Sequence, residues 1–553
     1  MNNSKTRRKL SQGQDGDSSR ASLLRGFALA LTLCVMATGG CQRGADPLQK
    51  AFDAIGDKDA LLELSGFRYE SSGERFEPAQ GLSPAHDAIK ASSFNLSLLC
   101  DVENDRLSFE WQRQIVDPLR GELSYRDVID GAVGYQTGND SLFNPPGATS
   151  DRALISERIG ALRREFRLLN PQLYLRKLAR DESAGTIKAD TELDGRAHHV
   201  IEVSDDVLPV ELFVDAASGR LSKLRTLQND HIWGDVSTEV TYSDWSTPEG
   251  SDLMFPHQVE LAIAGKTLRT DMRTNVVINP DFRADAFAVP DEPRTEVDEA
   301  AAQRGGVSSQ YVTRWHAIGL PFGDQDQTSV AAAAVAGDPD VQHLTGGTHH
   351  SLAIKLGEGI VVVEPPLNEA RSRAVVNKLD ELWPGVPVSH LILTHHHFDH
   401  MGGIRTYAAA GATIVTSELN SSYVEEALRS SHTLVPDELA GLASPDWSIE
   451  AVPTDGEFSL EQGGRSVKAR HIPTVHNEDM LVIYVPESRL IFESDIYVMP
   501  GGFPAHQPLP PPFADWARGL RDGLAALDWE IEWIAGGHGG VAPFTDLDSH
   551  FEN

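Results

Sequence analysis

Ile392-Leu393-Thr394-His395-His396-His397-Phe398-Asp399-His400-Met401-Gly402-Gly403 is the stretch on which the reading of this chain turns. A largely apolar run from Val388 to Leu393 delivers four histidines and an aspartate into a segment closed by two glycines. That order predicts a strand ending in a ligand-bearing loop before a helix. Neutral imidazole nitrogens and carboxylate oxygens are the usual ligands of zinc and similar divalent ions. Alternation along an extended backbone puts His395 and His397 on one side, which leaves Asp399 and His400 for a second ion. The bland alternative is a His-rich surface tract of the kind that scavenges metal. Partners arriving from later in the chain separate the two readings.

Composition narrows the setting. At 553 residues the chain is too long for one ordinary core and predicts two or three domains. Its formal net charge of -33 argues against nucleic acid, whose binding is led by Lys and Arg that neutralise phosphates. The three cysteines, Cys34, Cys41 and Cys100, make no disulfide framework and no Cys-x-x-Cys pair. Any metal site is therefore built from His, Asp and Glu.

Arg25 followed by Phe27-Ala28-Leu29-Ala30-Leu31-Thr32-Leu33-Cys34-Val35-Met36 has the basic flank and short apolar centre of an export signal. It falls short of the roughly 20 apolar residues of a membrane span. Thr38-Gly39-Gly40 before Cys41 resembles a bacterial lipoprotein cleavage site, which implies lipid on Cys41 and anchorage to a membrane. Residues 1–41 are thus expected to be an export signal, with plain secretion as the alternative. Either route predicts a periplasmic or outer-membrane-associated protein, in which Cys100 is buried in a core strand.

From 42 to 290 the pattern is short alternating runs broken by Gly, Asn and Asp. Examples are Phe94 to Leu98, His199 to Val203, Val210 to Asp215 and Val259 to Ile263, and their spacing predicts a large antiparallel sheet. The hairpin from Leu212 to Leu224 and the exit from Asp281 to Pro290 resemble the half-barrel sheets of periplasmic lipoprotein-carrier proteins. His198, His199, His231 and His257 are scattered without ligand spacing. Residues 291–340 read as a linker and irregular segment, with Asp291 to Gln310 rich in charge and small residues. Ala331 to Ala336 is compatible with helix or loop.

The last part, 341–553, reads as alternating strands and helices. Leu352 to Leu356 and Gly359 to Glu364 form an expected hairpin, followed by an amphipathic helix from Ala370 to Leu382 and the strand into the histidine motif. Ile404 to Ala410 is expected as helix and Thr413 to Thr416 as strand. Downstream, His471 and His476 both precede or adjoin apolar strands. Leu490-Ile491-Phe492-Glu493-Ser494-Asp495 is a strand ending in a carboxylate, and Ile531 to Gly540 is a strand running into glycines around His538.

From Gly347 to Phe544 these motifs together resemble the metallo-β-lactamase fold family, which implies an αββα sandwich and a dinuclear site. The fold class expected overall is α/β, more broadly α+β: an N-terminal antiparallel β half-barrel-like domain and a C-terminal αββα domain. Carried over residue by residue, the resemblance implies His395, His397 and His476 on one ion. Asp399, His400 and His538 go on the other, with Asp495 between. His471 is then a supporting residue. Where many relatives carry Asp this chain has Glu364, and Thr474-Val475-His476-Asn477 replaces the family's glycine-containing turn.

The activity this implies is hydrolysis by a hydroxide bridging two divalent ions, most simply Zn2+, with Fe or Mn as alternatives. Asp399 is the expected catalytic carboxylate. Tyr497 and His506, in a glycine- and proline-rich segment, are candidate acids from a lid-like loop. Among hydrolases, Asp495 resembles the bridge of glyoxalase II, lactonase and phosphodiesterase relatives. A small-molecule ester or lactone is the first expectation; phosphodiester, sulfate ester and β-lactam hydrolysis are alternatives. A non-enzymatic lipid-carrier-like lipoprotein with a structural metal domain, and a two-iron oxidoreductase, are readings of other classes.

Overall fold

The computed structural model describes residues 46–142, 150–291, 296–320, 327–498 and 500–552. The expected export signal, with Cys34 and Cys41, lies outside them. Among the described residues no helix is long and apolar enough to cross a membrane.

Alternation builds the first sheet. Along Ile89–Asp101, Phe94, Leu96, Leu98 and Cys100 are buried while Asn95 and Ser97 are exposed, the period-2 signature of a half-buried strand. Among the described residues the sheet has fourteen strands. One meander runs from Gly66–Glu77 outward to Arg152–Ala153, and another runs from Arg196–Val203 back to Lys266–Ile278. The two join where Gly66–Glu77 pairs antiparallel with Lys266–Ile278.

Three helices, Pro47–Ile55, Ser156–Leu169 and Gln172–Arg180, share the core on the sheet's apolar face. The alternating-run reading of 42–290 did not separate them from strands. Ser156–Leu169 is highly charged, yet Ile159, Leu162, Phe166 and Leu169 fall at helical spacing and pack inward.

Among the described residues of 291–340, two helices and a strand stand where a linker and irregular segment were expected. Glu299–Val307 and Ser309–Ala317 are helices, and every residue of the second is buried. Glu299–Val307 approaches Ser156–Leu169 so closely that a Cβ on Gly160 would lie 1.8 Å from the Ala302 carbonyl oxygen. In Ser309–Ala317, Arg314 donates to both Glu77 and Asp230 at the ends of large-sheet strands, while its guanidinium lies 4.6 Å from the Phe398 ring. Tyr311 donates to the Leu367 carbonyl at 3.2 Å. These buried contacts join the large sheet to the second half, and residues 45–553 form one compact unit.

Ala331–Val335, compatible from sequence with helix or loop, is a strand paired with Asp338–Thr345. Alanine favours helix, but the positive φ of Ala336 (51°) and Gly337 (77°) makes a two-residue hairpin turn, and pairing decides the outcome.

Two sheets then face each other. Among the described residues one runs from Ala331–Val335 to Ser448–Val452 in seven strands, the other from Glu457–Gln462 to Val541–Pro543 in six. Along Gly359–Val363, Val361 and Val363 pack into the inter-sheet core with Ile483 and Phe492, while Ile360 and Val362 meet the outer helices. Burial on both faces explains the unbroken apolar run. Glu369–Leu382 covers the first sheet and Phe513–Leu524 the second, giving four layers, αββα.

Candidate metal centre

The histidine motif sits where Val388–Ile392 ends. Leu393 donates its N–H to the Val415 carbonyl (2.9 Å), and the Thr394 carbonyl accepts from Leu481 N–H (2.8 Å), so both sheets hold the loop. The short helix Phe398–Met401 follows at once. His476 comes from the turn before Leu481–Val485, Asp495 from just past Leu490–Glu493, and His538 from just past Trp533–Gly536. All seven residues singled out from sequence meet at one end of the sandwich.

Asp495 divides them. Its Oδ2 lies 3.0 Å from His476 Nε2, 3.4 Å from His395 Nε2 and 3.9 Å from His397 Nδ1. Its Oδ1 lies 3.0 Å from His538 Nε2 and 3.2 Å from His400 Nε2. Among the described residues three sets of donor atoms, each within 4.8 Å of one another, could hold an ion: His395, His397, His476 and Asp495; His349, Asp399, His400 and His538; and Glu364, His395 and His400, whose imidazoles come one from each of the other two. His349 was missed by the sequence reading. It lies before the first recognised motif, in Thr348-His349-His350, and its only signal was proximity to the Ser351–Leu356 strand.

Four of the outward nitrogens are committed elsewhere. His400 Nδ1 faces Glu364 Oε2 at 2.9 Å, His395 Nδ1 faces Thr394 Oγ1 at 3.0 Å, and His538 Nδ1 donates to the Thr348 carbonyl at 2.8 Å. His397 Nε2 faces the Gly81 carbonyl at 3.1 Å. His395 Nε2, His397 Nδ1 and His400 Nε2 are buried with no protein hydrogen bond. Buried imidazole nitrogens without partners, each with the second ring nitrogen fixed, are what metal ligation requires, so this donor set fits two divalent ions.

Electrostatics divide the rings: against the opposing effect of burial, Asp495 raises His400 well above the usual histidine range and raises His538 as well. Burial, reinforced by His397 and His400, pushes His395 well below the usual histidine range. Burial likewise lowers His397 to about 4 and His349 to about 3. These rings are neutral in the folded chain, the ligating form. Burial opposes ionisation of Asp399 and Asp495, but His400 with His349, and His400 with His538, outweigh it and hold both carboxyls below their ordinary value.

Other residues fall outside the cluster. His471 Nε2 lies 2.6 Å from the Glu478 carbonyl. The Tyr497 hydroxyl is 2.9 Å from His550 Nε2, and the His506 backbone N–H donates to Ser549 Oγ at 3.1 Å. Asp479, beside His476 in sequence, accepts from His396 Nδ1 at 2.7 Å and so ties the His476 turn to the motif. Glu364 holds a positive φ of 65° and accepts from Thr394, so the longer carboxylate buttresses His400.

Residues 344–538 match the family model described as the metallo-beta-lactamase superfamily, and this portion of the chain is a domain of that kind. The chain is 29% identical over 192 residues to the 2,4-dinitroanisole O-demethylase subunit alpha of Nocardioides sp. (strain JS1661). That match takes in 34% of this chain and 52% of the relative, so the chain spans about half the length of the curated relative it matches. Among solved structures, a metallo-beta-lactamase from Pontibacter korlensis overlaps 40% of this chain and 96% of its own, at 17% identity and a TM-score of 0.30. The metal-soaked Flv1 flavodiiron core from Synechocystis sp. PCC6803 overlaps 41% and 60%, at 15% identity and a TM-score of 0.31.

Proposed function

We propose that this protein is a dinuclear metal-dependent hydrolase of a small-molecule ester or lactone. The observation that carries the reading is the Asp495 carboxylate, with one oxygen facing His395, His397 and His476 and the other facing His400 and His538. His395, His397 and His476 would hold one ion, Asp399, His400 and His538 the other, and zinc suits neutral imidazole with carboxylate. Two such ions supply Lewis acidity and an acidified water at neutral pH.

The chain's own groups do the positioning. Asp399 is kept ionised and accepts from Gln80 through Oδ1 (2.5 Å) and from His349 through Oδ2 (3.1 Å), so its carboxylate plane is fixed beside the cluster. His476 is packed edge-on against Trp516, with ring centroids 4.5 Å apart, which sets the ring's direction and keeps an apolar wall beside it. The cluster is buried, with His538 the more accessible edge, which favours a small substrate over a polymer. A net charge of -33 disfavours polyanions.

The test is turnover of a panel of esters, lactones, thioesters, phosphodiesters, sulfate esters and β-lactams by the metal-loaded full chain, with 2,4-dinitroanisole added because of the curated relative. Ester or lactone turnover that disappears in Asp399→Ala supports the reading. Unaltered turnover in that variant, or turnover of none of these bonds, contradicts it. In this reading Cys41 carries a lipid anchor: Cys41→Ser should release the protein from membranes, and unchanged membrane retention would count against the anchor.

A further inference from the structure

The loop joining Gly66–Glu77 to Ile89–Asp101 belongs to the large N-terminal sheet, yet it ends against the metal centre. Gln80 Nε2 donates to Asp399 Oδ1 at 2.5 Å. The Gly81 carbonyl oxygen is 3.1 Å from His397 Nε2. Phe398 N–H donates to the Ala79 carbonyl at 3.2 Å, and Glu478 N–H to the Leu82 carbonyl at 2.7 Å. Gln80 is only 8% exposed. The strap is braced from behind, because Glu77 accepts from Ala79 N–H at 3.0 Å and is itself paired with buried Arg314.

We propose that this strap completes the metal centre: Gln80 is a positioning residue for Asp399, and the Gly81 carbonyl sets which nitrogen of His397 faces the ions. A carbonyl only accepts, so its partner His397 Nε2 must carry the hydrogen. Nδ1 is then left as the lone-pair nitrogen, and it is the atom that lies buried and unpartnered toward Asp495. The Gln80 carboxamide donates without adding charge. It holds one oxygen of Asp399 while His349 holds the other, so the carboxylate keeps one rotation and its negative charge. A glutamate there would face Asp399 with a second anion, and an alanine would free the carboxylate to turn. The large sheet thereby supplies outer support to one member of each ligand set, which gives the N-terminal half a function in the centre itself. The inference rests on the dinuclear reading given above.

The experiment is chelator competition for Zn2+ on the full-length chain, together with the visible spectrum of the Co2+-substituted protein, for wild type, Gln80→Ala and Gln80→Glu. Outer supports of this kind are worth about 10–100-fold in metal affinity. One of two metal equivalents is expected to weaken by that factor in Gln80→Ala and by more in Gln80→Glu. The second equivalent and the melting temperature of the metal-free protein should be unchanged, and the cobalt spectrum of one site should shift. Two equivalents bound as tightly in both variants as in wild type overturn this inference alone. Equal weakening of both equivalents with a lower metal-free melting temperature also overturns it, since the strap would then only dock the two halves. A wild type that binds no metal overturns the dinuclear reading together with it.

Discussion

Asp495 Oδ2 lies 3.0 Å from His476 Nε2, and this is one side of a carboxylate whose other oxygen reaches His538 Nε2 at the same distance. A residue shared in this way couples the two donor sets. Asp495→Asn keeps the shape and removes the charge, so both metal equivalents should weaken by about tenfold or more in chelator competition. Weakening of one equivalent alone would show that the carboxylate belongs to one set.

His349 is completely buried and faces both Asp399 and the ring of His538, whose centroid is 4.3 Å away. His349→Ala is expected to weaken the ion held by Asp399, His400 and His538 by about 10–100-fold and to spare the other. Stepwise metal titration distinguishes this from no effect.

Arg314 is 3% exposed at its side chain and stands between Glu77 and Asp230, both nearly inaccessible. Arg314→Met leaves two buried carboxylates uncompensated, and the expected loss of stability is about 3–5 kcal/mol in denaturant unfolding. A loss below about 1 kcal/mol, the range of an exposed pair, would mean that water reaches the network.

His316 has two buried ring nitrogens with no hydrogen-bond partner. Burial, with Arg158 and Arg113 nearby and against the pull of Asp140, lowers it well below 6.5. The sign follows: below about 6.5 the unfolded chain binds a proton that the folded chain refuses, so stability is full above that pH and falls as pH drops toward the folded value. One such proton is worth up to about 1.4 kcal/mol per pH unit. Unfolding midpoints at pH 7.5 and 5.5 should converge in His316→Leu relative to wild type, and an unchanged gap would refute the assignment.

Much of this architecture was legible because it rests on short-range patterns. The alternation in Phe94 to Leu98, the Gly357 turn, the helix Glu369–Leu382 and the strand ends bearing Asp495 and His538 follow from period and punctuation. His349 and Gln80 were not legible, since neither lies in a motif. Each gains its meaning from chain segments 50 and 319 residues away in sequence. The helices from Glu299 to Ala317 were hidden for a related reason. Their small and charged residues look like linker composition, and only close packing of Gly160 against Ala302 and the pairing of Arg314 make them core. Tyr497 looked available on a loop, but tertiary structure commits its hydroxyl to His550.

The central claim is that this chain holds two ions in one shared centre, and metal content measures it most directly. Elemental analysis of the purified full-length protein after loading and desalting should give about two equivalents of divalent metal per chain. The double variant His395→Ala/His400→Ala should fall to background while remaining folded by circular dichroism. Metal at background in the wild type, or two equivalents retained in the double variant, would contradict the account.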